Sequence, residues 1–347
     1  KVRSSAPLHK PPTIYDVARA AGVSHQTVSR LLKGDQGIKP ANRERVLRAL
    51  DELRYRPNMA ARSLATSRSH RVAALTQEIG LVGPGQIAQA AAIEARQRGY
   101  VLDMITLDIE DGANVEEAIR LANQQDVAGI LALASTDELA AAFRNTEFHV
   151  PFFIASDEDQ LDDGDDPEGV SQALDQLAAH LKAFGHVDIL HVAGPLTRAA
   201  GRNRERFVRK ALADNGLALT DIIDGDWSAR SGYQAVRSAL QSFSFTAVIA
   251  ANDQMAIGAI RALHEAGFDV PGDVSVTGVD DIPESAFVTP QLTTIHLNFE
   301  TLGRNAFCGL LAEITGNPIE PLYQPAELVI RESTGPAGRG PVGARRR

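Results

Sequence analysis

The sequence has few of the residues that mark several other classes of protein. Among its 347 residues there is one cysteine, Cys308, which excludes an internal disulfide and favours a buried thiol in a reducing compartment. Aromatic residues make up 5% of the chain, and tryptophan occurs once. No run of about 18 apolar residues is present, which argues against a membrane-spanning helix. The first residues lack the apolar core of a signal peptide, so a cytoplasmic protein is expected.

Nucleotide-binding and catalytic motifs are also missing. Neither Gly-x-Gly-x-x-Gly nor a Walker A pattern occurs, which argues against dinucleotide or nucleoside triphosphate chemistry. Residues 157–168 are rich in carboxylates, but their spacing does not fit a calcium loop, so a solvated loop is the simpler interpretation. Asp280 and Asp281 are neighbours on a predicted strand and would point to opposite faces, which makes a poor acid–base pair. We therefore expect no enzymatic activity, no cofactor and no metal.

The charge is unevenly distributed along the chain. The net charge is −9, yet residues 1–71 hold 15 Lys and Arg against 5 Asp and Glu, whereas the remainder holds 20 against 39. A basic module joined to an acidic body predicts that only the first part of the chain binds nucleic acid. The acidic body would repel phosphates and keep that binding local.

The stretch TIYDVARAAGVSHQTVSRLLKG reads as two short helices joined by a tight turn. Thr13 and Asp16 have the spacing of a capping box, Gly22 supplies a turn with positive φ, and Ser24 can cap the second helix. Gly34 would end that helix. The apolar faces of the two helices are expected to consist of Ile14, Val17, Ala18, Ala21, Val28, Leu31 and Leu32.

The polar face of the second helix is suited to reading DNA. His25, Gln26, Ser29 and Arg30 point outward; histidine and glutamine can contact base edges, and the arginine can pair with guanine. This pattern predicts a helix-turn-helix, with a helical hairpin in an ordinary core as the alternative. A third helix at about 40–55 would complete a three-helix core. Its expected apolar face consists of Val46, Leu47, Leu50 and Leu53.

From Val72 onward, short apolar runs alternate with helical segments. The runs that read as strands are VAALT, YVLDMIT, GILALA, FFIA, DILHVAG, AVIAA and VSVTGVD. This alternation predicts an α/β architecture of doubly wound parallel sheets with helices on both faces, long enough for two lobes. A ligand would occupy the cleft outside the carboxyl ends of the strands.

The motifs IYDVA, AGVS and TVSR, followed by YRPN and AARSLA in residues 55–65, resemble the DNA-binding module of the lac-repressor family. The resemblance extends over roughly residues 12–333 and implies a small all-α helix-turn-helix domain plus a two-lobed core of the periplasmic-binding-protein type. It places the helix-turn-helix domain at 13–56, a hinge helix and linker at 57–71 and the core at 72–333. The polar, proline-containing composition of residues 1–12 predicts a disordered arm, and the Gly-, Pro- and Arg-rich composition of the end of the chain predicts a disordered tail at 334–347. The first lobe is expected at about 72–165 and 291–322, and the second at about 170–288 and 326–333.

The resemblance also implies how the module binds DNA. In the family, two hinge helices from a dimer enter the minor groove at the operator centre. Here residues 59–65 match that helix, with Leu64 as the apolar wedge and Ala61 permitting close approach of the two helices. A flexible linker is the alternative. Two-fold symmetry calls for a near-palindromic operator. Phosphate contacts are expected from Thr13, Tyr15, Ser24, Thr27 and Asn58.

Four residues of the core match positions that hold the effector in this family. Arg204 offers a fork of donors to vicinal hydroxyls, Trp227 can stack on a sugar ring, and Asn252 and Asp280 can pair with hydroxyls. Each residue also has a simpler interpretation: a surface ion pair for Arg204, a core position for Trp227, a helix cap for Asn252 and a turn or cap for Asp280. Taken together, the four residues favour a polyol site over these separate interpretations.

The other lobe departs from the family pattern. Leu133, Ser156 and Leu297 stand where some sugar-binding relatives have polar groups. This indicates a wider or more apolar subsite and leaves the identity of the effector open. An apolar wall is expected from Leu81, Gly83 and Ile87.

Together these features predict a homodimeric, nucleoid-associated repressor of carbohydrate-utilisation genes. A sugar, such as a galactoside or another mono- or disaccharide, would release it from double-stranded operator DNA. The main alternative is a corepressor-type regulator that binds a purine or nucleoside in the same cleft. A sugar-transport binding protein without a DNA role fits the basic first module poorly, and a sugar hydrolase lacks a suitable acid–base pair.

Overall fold

The chain forms two compact units, Lys1–Ser69 and His70–Arg347. The computed structural model describes residues 12–32, 35, 37–55, 69–77, 79–107, 112–134, 136–156, 169–242 and 244–338. The residues of the predicted arm up to 11, Gly34, the hinge helix at 59–65 and the acidic stretch at 157–168 lie outside these ranges.

Three helices make up the described part of the first unit: α1 (Ile14–Ala21), α2 (His25–Leu32) and α3 (Pro40–Glu52). α1 begins at a capping box, in which Thr13 N–H donates to Asp16 Oδ2 at 2.8 Å. Gly22 ends α1 at φ 63°, a conformation that glycine adopts at little cost. Ser24 Oγ accepts from the N–H of Thr27 at 3.2 Å and so caps α2. These features confirm the predicted helix-turn-helix.

The three helices share a small apolar core. Val17, Val28 and Val46 are fully buried at its centre. The expectation that Leu47 faces inward is wrong, because this side chain is 50% exposed and Ala49 is buried instead. One step around a helix turns a side chain by about 100°, so α3 presents residues three apart to the core rather than neighbours.

The first lobe of the second unit contains a four-stranded parallel sheet. Its strands are β1 (Arg71–Gln77), β2 (Val101–Leu107), β3 (Gly129–Ala134) and β4 (Phe152–Ser156), in the order β2-β1-β3-β4. The connecting helices are α4 (Val82–Gln97), α5 (Gly112–Gln124) and α6 (Asp137–Arg144). All residues of β3 are buried, as expected for a strand covered by helices on both faces.

The second lobe repeats this arrangement. Its strands are β5 (Asp188–Ala193), β6 (Ala218–Asp224), β7 (Ala247–Ala250) and β8 (Ser275–Thr277), in the order β6-β5-β7-β8. Its helices are α7 (Val170–Ala183), α8 (Ala199–Asp214), α9 (Ala229–Ser242) and α10 (Asp253–Glu265). The two parallel sheets confirm the predicted α/β class. None of the helices in the described ranges is both long and apolar enough to cross a membrane.

The last elements of the core are β9 (Thr294–His296), α11 (Phe299–Thr315) and β10 (Glu327–Val329). The expectation that residues from 291 onward belong to the first lobe is wrong for the segment before α11. Thr293 forms a parallel bridge with Thr277, and His296 forms one with Asp280. The backbone of this segment therefore pairs with the chain at and after β8 in the second lobe. The chain then crosses, and α11 packs against α4 of the first lobe.

The predicted disordered tail begins too early. Gly335 N–H donates to Ser275 Oγ at 3.1 Å, and Ala337 N–H donates to the carbonyl of Phe184 at 2.8 Å. Thr334 is 8% exposed. Residues 334–338 therefore belong to the second lobe, because their backbone completes hydrogen bonds of buried groups.

Candidate functional site

The outer face of α2 carries the residues that the sequence predicts to read DNA. His25, Gln26 and Arg30 are exposed, and Ser29 is half-buried. The ring of Tyr15 lies beside that of His25, with centroids 5.2 Å apart. Of the predicted phosphate contacts in the described ranges, Thr13, Tyr15 and Ser24 are exposed and Thr27 is half-buried. Asn58, Ala61 and Leu64 lie outside the described residues.

Arg30 has a partner that the sequence does not reveal. Its Nε donates to Asp35 Oδ2 at 2.6 Å, and Asp35 Oδ1 accepts from the N–H of Gly37 at 2.7 Å. The Arg30 guanidinium and this backbone bond hold the pKa of the Asp35 carboxyl below its usual range. The contact occupies Nε and leaves both terminal nitrogens of Arg30 as donors, which is the geometry needed for a bidentate guanine contact.

The second unit contains a cavity of about 820 Å³ at the carboxyl ends of the two sheets. It lies where the fold predicts a ligand cleft. All seven residues that the sequence proposes for the effector line this one cavity: Leu81, Gly83, Ile87, Arg204, Trp227, Asn252 and Asp280. Leu133 and Leu297 also line it, whereas Ser156 does not.

Arg204 is the centre of the polar part of the cavity. Its Nη2 donates to Asp280 Oδ1 at 2.9 Å and its Nη1 to the carbonyl of Ala251 at 2.6 Å. Its guanidinium carbon lies 5.2 Å from the ring centroid of Trp227. The side chains of Arg204 and Asp280 are only 14% and 6% exposed, so this is a buried ion pair, unlike the surface pair considered from sequence. Burial raises the pKa of the Asp280 carboxyl, and the Arg204 charge opposes that shift.

Asn252 is a helix cap that also lines the cavity. Its Oδ1 caps α10 by accepting from the N–H of Met255 at 2.9 Å. Its Nδ2 donates to the carbonyl of Trp227 at 3.0 Å and to Gln254 Oε1 at 2.8 Å. Because both amide hydrogens are engaged, a ligand hydroxyl can only donate to the remaining lone pair of Oδ1 or displace Gln254.

The backbone is strained at this part of the cavity. Trp227 has φ 69°, Asp280 has φ 113° and Asp281 has φ 55°, although none of them is glycine. Such conformations cost about 1–3 kcal/mol each and persist where the surrounding structure holds them in place. These positive φ angles let the chain turn sharply after β6 and after β8, next to the ion pair of Arg204 and Asp280.

A second buried carboxyl supports the end of β8. Asp253 is fully buried, and its oxygens accept from Thr294 Oγ1 at 2.5 Å, Ser285 Oγ at 2.7 Å and the N–H of Ile282 at 2.9 Å. Burial and the nearby Asp280 raise the pKa of the Asp253 carboxyl to about 7. Asp253 does not line the cavity, so its role is to hold the strand ends that carry Asp280.

Sequence reasoning misses several polar residues of the cavity. Gln254 is the second residue of α10, and Ser228 follows the strained Trp227. Arg198 and Asn203 lie at the start of α8, close in sequence to Arg204. The signal that points to them is position, because each lies within a few residues of a proposed site residue at the carboxyl end of a strand.

Two family models match this chain. The model of bacterial regulatory proteins of the lacI family matches residues 13–58, and the model of the periplasmic binding protein-like domain matches residues 178–334. The first range contains the three helices, and the second contains most of the second lobe together with α11. A DNA-binding module joined to a two-lobed core of this type defines a class of transcriptional regulators.

Relatives extend the match over nearly the whole chain. The lactose operon repressor of Escherichia coli (strain K12) is 34% identical over 332 residues, which cover 94% of this chain and 91% of that protein. The transcriptional repressor PurR of Erwinia tasmaniensis is 32% identical over 311 residues, which cover 87% of this chain and 90% of that protein. The chain belongs to the lacI family of bacterial regulatory proteins, and it is a DNA-binding transcriptional repressor. These relatives are regulators rather than enzymes.

Solved structures agree with this assignment. The lac repressor dimer bound to operator and the anti-inducer ONPF aligns with a TM-score of 0.78 and 33% identity, covering 94% of this chain and 100% of that one. The transcriptional regulator CelR in complex with cellobiose aligns with a TM-score of 0.65 and 30% identity, covering 93% of this chain and 99% of that one.

Proposed function

We propose that this protein is a homodimeric repressor of carbohydrate-utilisation genes, released from a palindromic operator when a sugar binds the cavity of the second unit. The observation that carries the proposal is the buried Arg204–Asp280 pair beside Trp227. Arg204 occupies one carboxylate oxygen of Asp280, which leaves the other oxygen to accept hydroxyl hydrogens from a sugar. The indole of Trp227 offers a flat apolar face for the C–H face of the ring.

On the DNA side, α2 enters the major groove of each half-site. His25, Gln26, Ser29 and Arg30 contact base edges, with Arg30 held in place by Asp35. The two Leu64 side chains open the centre of the operator from the minor groove, where Ala61 allows the hinge helices to approach. Phosphate contacts set the register of the protein and come from Thr13, Tyr15, Ser24, Thr27 and Asn58.

The sugar acts through the relative position of the two lobes. A ligand that contacts both walls of the cavity favours one lobe arrangement, and the hinge helices pack together only in the arrangement that binds operator. The sugar releases DNA to the extent that it binds more tightly to the lobe arrangement with low affinity for operator. By linkage, bound operator weakens sugar binding by the same factor. The operator-bound lac repressor dimer and the cellobiose-bound CelR support this coupling as precedents among relatives.

The second candidate function is a corepressor-type regulator that binds a purine or nucleoside. A purine would stack on Trp227 as well as a sugar does, and the similarity to PurR keeps this candidate open. The buried Asp280 carboxylate favours the sugar, because it accepts several hydroxyl hydrogens, whereas a purine offers fewer donors.

The deciding experiment uses the fluorescence of Trp227, the only tryptophan in the chain. The full-length protein is titrated with mono- and disaccharides, purines and nucleosides, first alone and then with a palindromic operator present. A saturable change caused by a sugar that also releases operator supports the proposal. A change caused by a purine that tightens operator binding would replace it with the corepressor function, and the assignment as a DNA-binding repressor would stand.

A further inference from the structure

Two short strands mark the place where the chain passes between the lobes. β9 and β10 pair as an antiparallel ribbon, in which His296 lies directly opposite Glu327. The chain leaves the ribbon after His296 and enters α11 of the first lobe, and the returning segment ends where β10 begins at Glu327. His296 and Glu327 are therefore the last pair of the ribbon, next to both of these crossings.

The backbone of the ribbon is joined to the turn that follows β8. The N–H of Asp280 donates to the carbonyl of Ile295 at 2.8 Å, and Asp280 and His296 form a parallel bridge. The side chain of Ile295 belongs to the apolar cluster that α7 forms on one face of the ribbon. Because successive residues of a strand point to opposite faces, His296 points away from α7.

The side chain of Asp281 links the same turn to both strands. Its Oδ1 accepts from Arg331 Nη2 at 2.6 Å, and Arg331 Nη1 donates to the carbonyl of Leu292, just before β9, at 2.8 Å. Its Oδ2 lies 3.2 Å from His296 Nδ1. Asp281 directly follows Asp280, which lines the cavity, so these contacts join the two crossings to the cavity wall. We call Asp281, His296 and Arg331 the crossing triad.

The contact between His296 and Asp281 falls short of a hydrogen bond. The Nδ1 atom of His296 is buried and has no hydrogen-bond partner among the described residues, although the carboxylate is near it. The side chain as a whole is 44% exposed, which allows it to exchange protons with water. A charged imidazole attracts the carboxylate and offers it a proton from Nδ1. A neutral ring with its proton on Nε2 places a lone pair against the carboxylate instead.

The charged groups around His296 are mostly carboxylates. The elements around β9 carry Asp253 on α10, Asp280 and Asp281 after β8, Glu300 in the first turn of α11, and Glu327 and Arg331 in β10 and just after it. Asp280 is paired with Arg204, and Asp281 shares its charge with Arg331. Glu327 is exposed and lies on the same face of the ribbon as His296. A positive charge on His296 is therefore attracted to Asp281 and to Glu327.

We propose that His296 is a pH-responsive tie at the crossing between the lobes, which binds Asp281 when protonated and releases the ribbon from the turn after β8 when neutral. Imidazole is the side chain that ordinarily changes charge between about pH 5 and 8. A partly exposed ion pair shifts an equilibrium by about two- to fivefold, which sets the size of the effect on the lobe arrangement. The tie does not depend on the identity of the effector. If a sugar acts on the lobes as proposed above, pH biases the same arrangement.

The test measures the separation of the lobes in the full-length protein without ligand. Spin labels are attached at Ala141→Cys in α6 and Ala213→Cys in α8, two exposed alanines on different lobes. Cys308 is buried, so it should not be labelled. After dilution with unlabelled protein, pulsed EPR gives the distribution of separations at about pH 5.5 and about pH 8. The ratio of the tied to the released population is expected to be about two- to fivefold higher at the lower pH.

Three substitutions separate the charge of His296 from its structural role. His296→Gln is neutral at both pH values and should give the released distribution at each. His296→Lys keeps a positive charge throughout this range and should give the tied distribution at each. His264→Gln is the matched control, because His264 is an exposed histidine in the last turn of α10 of the same lobe. This variant should keep the pH response of the wild type.

Asp253 is the rival source of a pH response, because burial raises the pKa of its carboxyl to about 7. A wild type whose lobe separation does not change with pH would overturn the inference. It is also wrong if His296→Gln responds to pH as the wild type does, and a response that disappears only in Asp253→Asn would assign the effect to that residue.

Thermal melts report whether each variant folds. If either His296 variant does not fold, Asp281→Asn decides, because removal of the carboxylate should also abolish the response, and a full response in that variant contradicts the tie. Failure of the proposed function gives a different result, in which no sugar releases operator. The lobe separations are measured without a sugar, so the two outcomes are distinguishable.

Discussion

Arg204 donates to Asp280 at 2.9 Å and thereby ties α8 to the strained end of β8, although 76 residues separate the two in sequence. The pair is buried, so each charge depends on the other for compensation. Its geometry also orients the carboxylate before a ligand arrives. One contact therefore serves the stability of the second lobe and the polarity of the cavity.

Asp280→Asn tests both roles of this pair. The substitution leaves Arg204 with an uncompensated buried charge, and we expect a loss of roughly 3–5 kcal/mol in the free energy of unfolding. Effector affinity should fall by at least about tenfold, because an amide accepts fewer hydroxyl hydrogens. Asp281→Asn is the control: that carboxylate pairs with Arg331 at 2.6 Å and does not line the cavity. Equal losses of affinity in the two variants would show that the effect is structural.

The pH dependence of stability tests the state of Asp253. Its pKa is raised from 3.8 in the unfolded chain to about 7 in the fold. A raised pKa gives stability that is fully present below the unfolded value and is lost as pH rises through the folded value. From pH 4.5 to 8, the wild type should lose on the order of 2–3 kcal/mol relative to Asp253→Asn, which has no titrating group there. Urea unfolding of both proteins across this range measures the difference, and a constant difference would contradict the prediction.

An ion pair between the lobes gives a prediction about cleft opening. Arg202 of α8 lies 2.9 Å from Asp137 Oδ2 at the start of α6, so the pair joins the second lobe to the first. Asp137→Asn should weaken effector binding by about two- to fivefold, mainly through faster dissociation, and the effect should shrink at high salt. Stopped-flow Trp227 fluorescence measures the rate. Glu138→Gln, one residue along α6, is the control, and an equal effect there would argue against a role for the ion pair.

The sequence predicts much of the fold and the cavity because these depend on local or periodic signals. The capping box and the turn at Gly22 follow from short motifs, whereas the seven cavity residues follow from the resemblance to the family. The sequence does not indicate β6 among its strands, because this edge strand includes Asp221 and its side chains are mostly half-buried, so its apolar pattern is weak. Leu47 fits the apolar pattern of α3 but faces solvent, because Ala49 takes the inward position.

Long-range pairing is the part that the sequence could not supply. From the sequence, Asn252 and Asp280 could each be a cap or turn residue or a ligand contact. The structure shows that Asn252 accepts from the N–H of Met255 and that Asp280 accepts from Arg204. The end of the folded core is also hard to read from the sequence, because it depends on a distant contact. Gly335 looks like the start of a flexible tail, yet its N–H bonds to Ser275, which is 60 residues away.

The contact between Arg30 and Asp35 predicts a specific effect on DNA recognition. Asp35→Asn releases the guanidinium from its bond at 2.6 Å, which should lower operator affinity by up to about fivefold. Loss of a negative charge near DNA should strengthen non-specific binding, so the ratio of specific to non-specific affinity falls. Glu44→Gln is the control, because it makes the same change of charge at the ion pair of Glu44 with Arg48 on α3. Competition assays at one salt concentration measure the ratio, and an unchanged ratio in Asp35→Asn would rule out this positioning role.

Leu64 is proposed to enter the operator as an apolar wedge, and that role predicts a loss confined to specific binding. Leu64→Ala removes the side chain that unstacks the central base step. Contacts to the kinked duplex repay an unstacking cost of a few kcal/mol, so losing the kink should weaken operator binding by at least about tenfold. Non-specific binding depends on phosphate contacts and should change little. Leu47→Ala is the matched control, because Leu47 is a half-exposed leucine in the same module. If Leu64→Ala weakens operator and random DNA by the same factor in a competition assay at fixed salt, the wedge role is wrong and a packing role for this leucine is favoured.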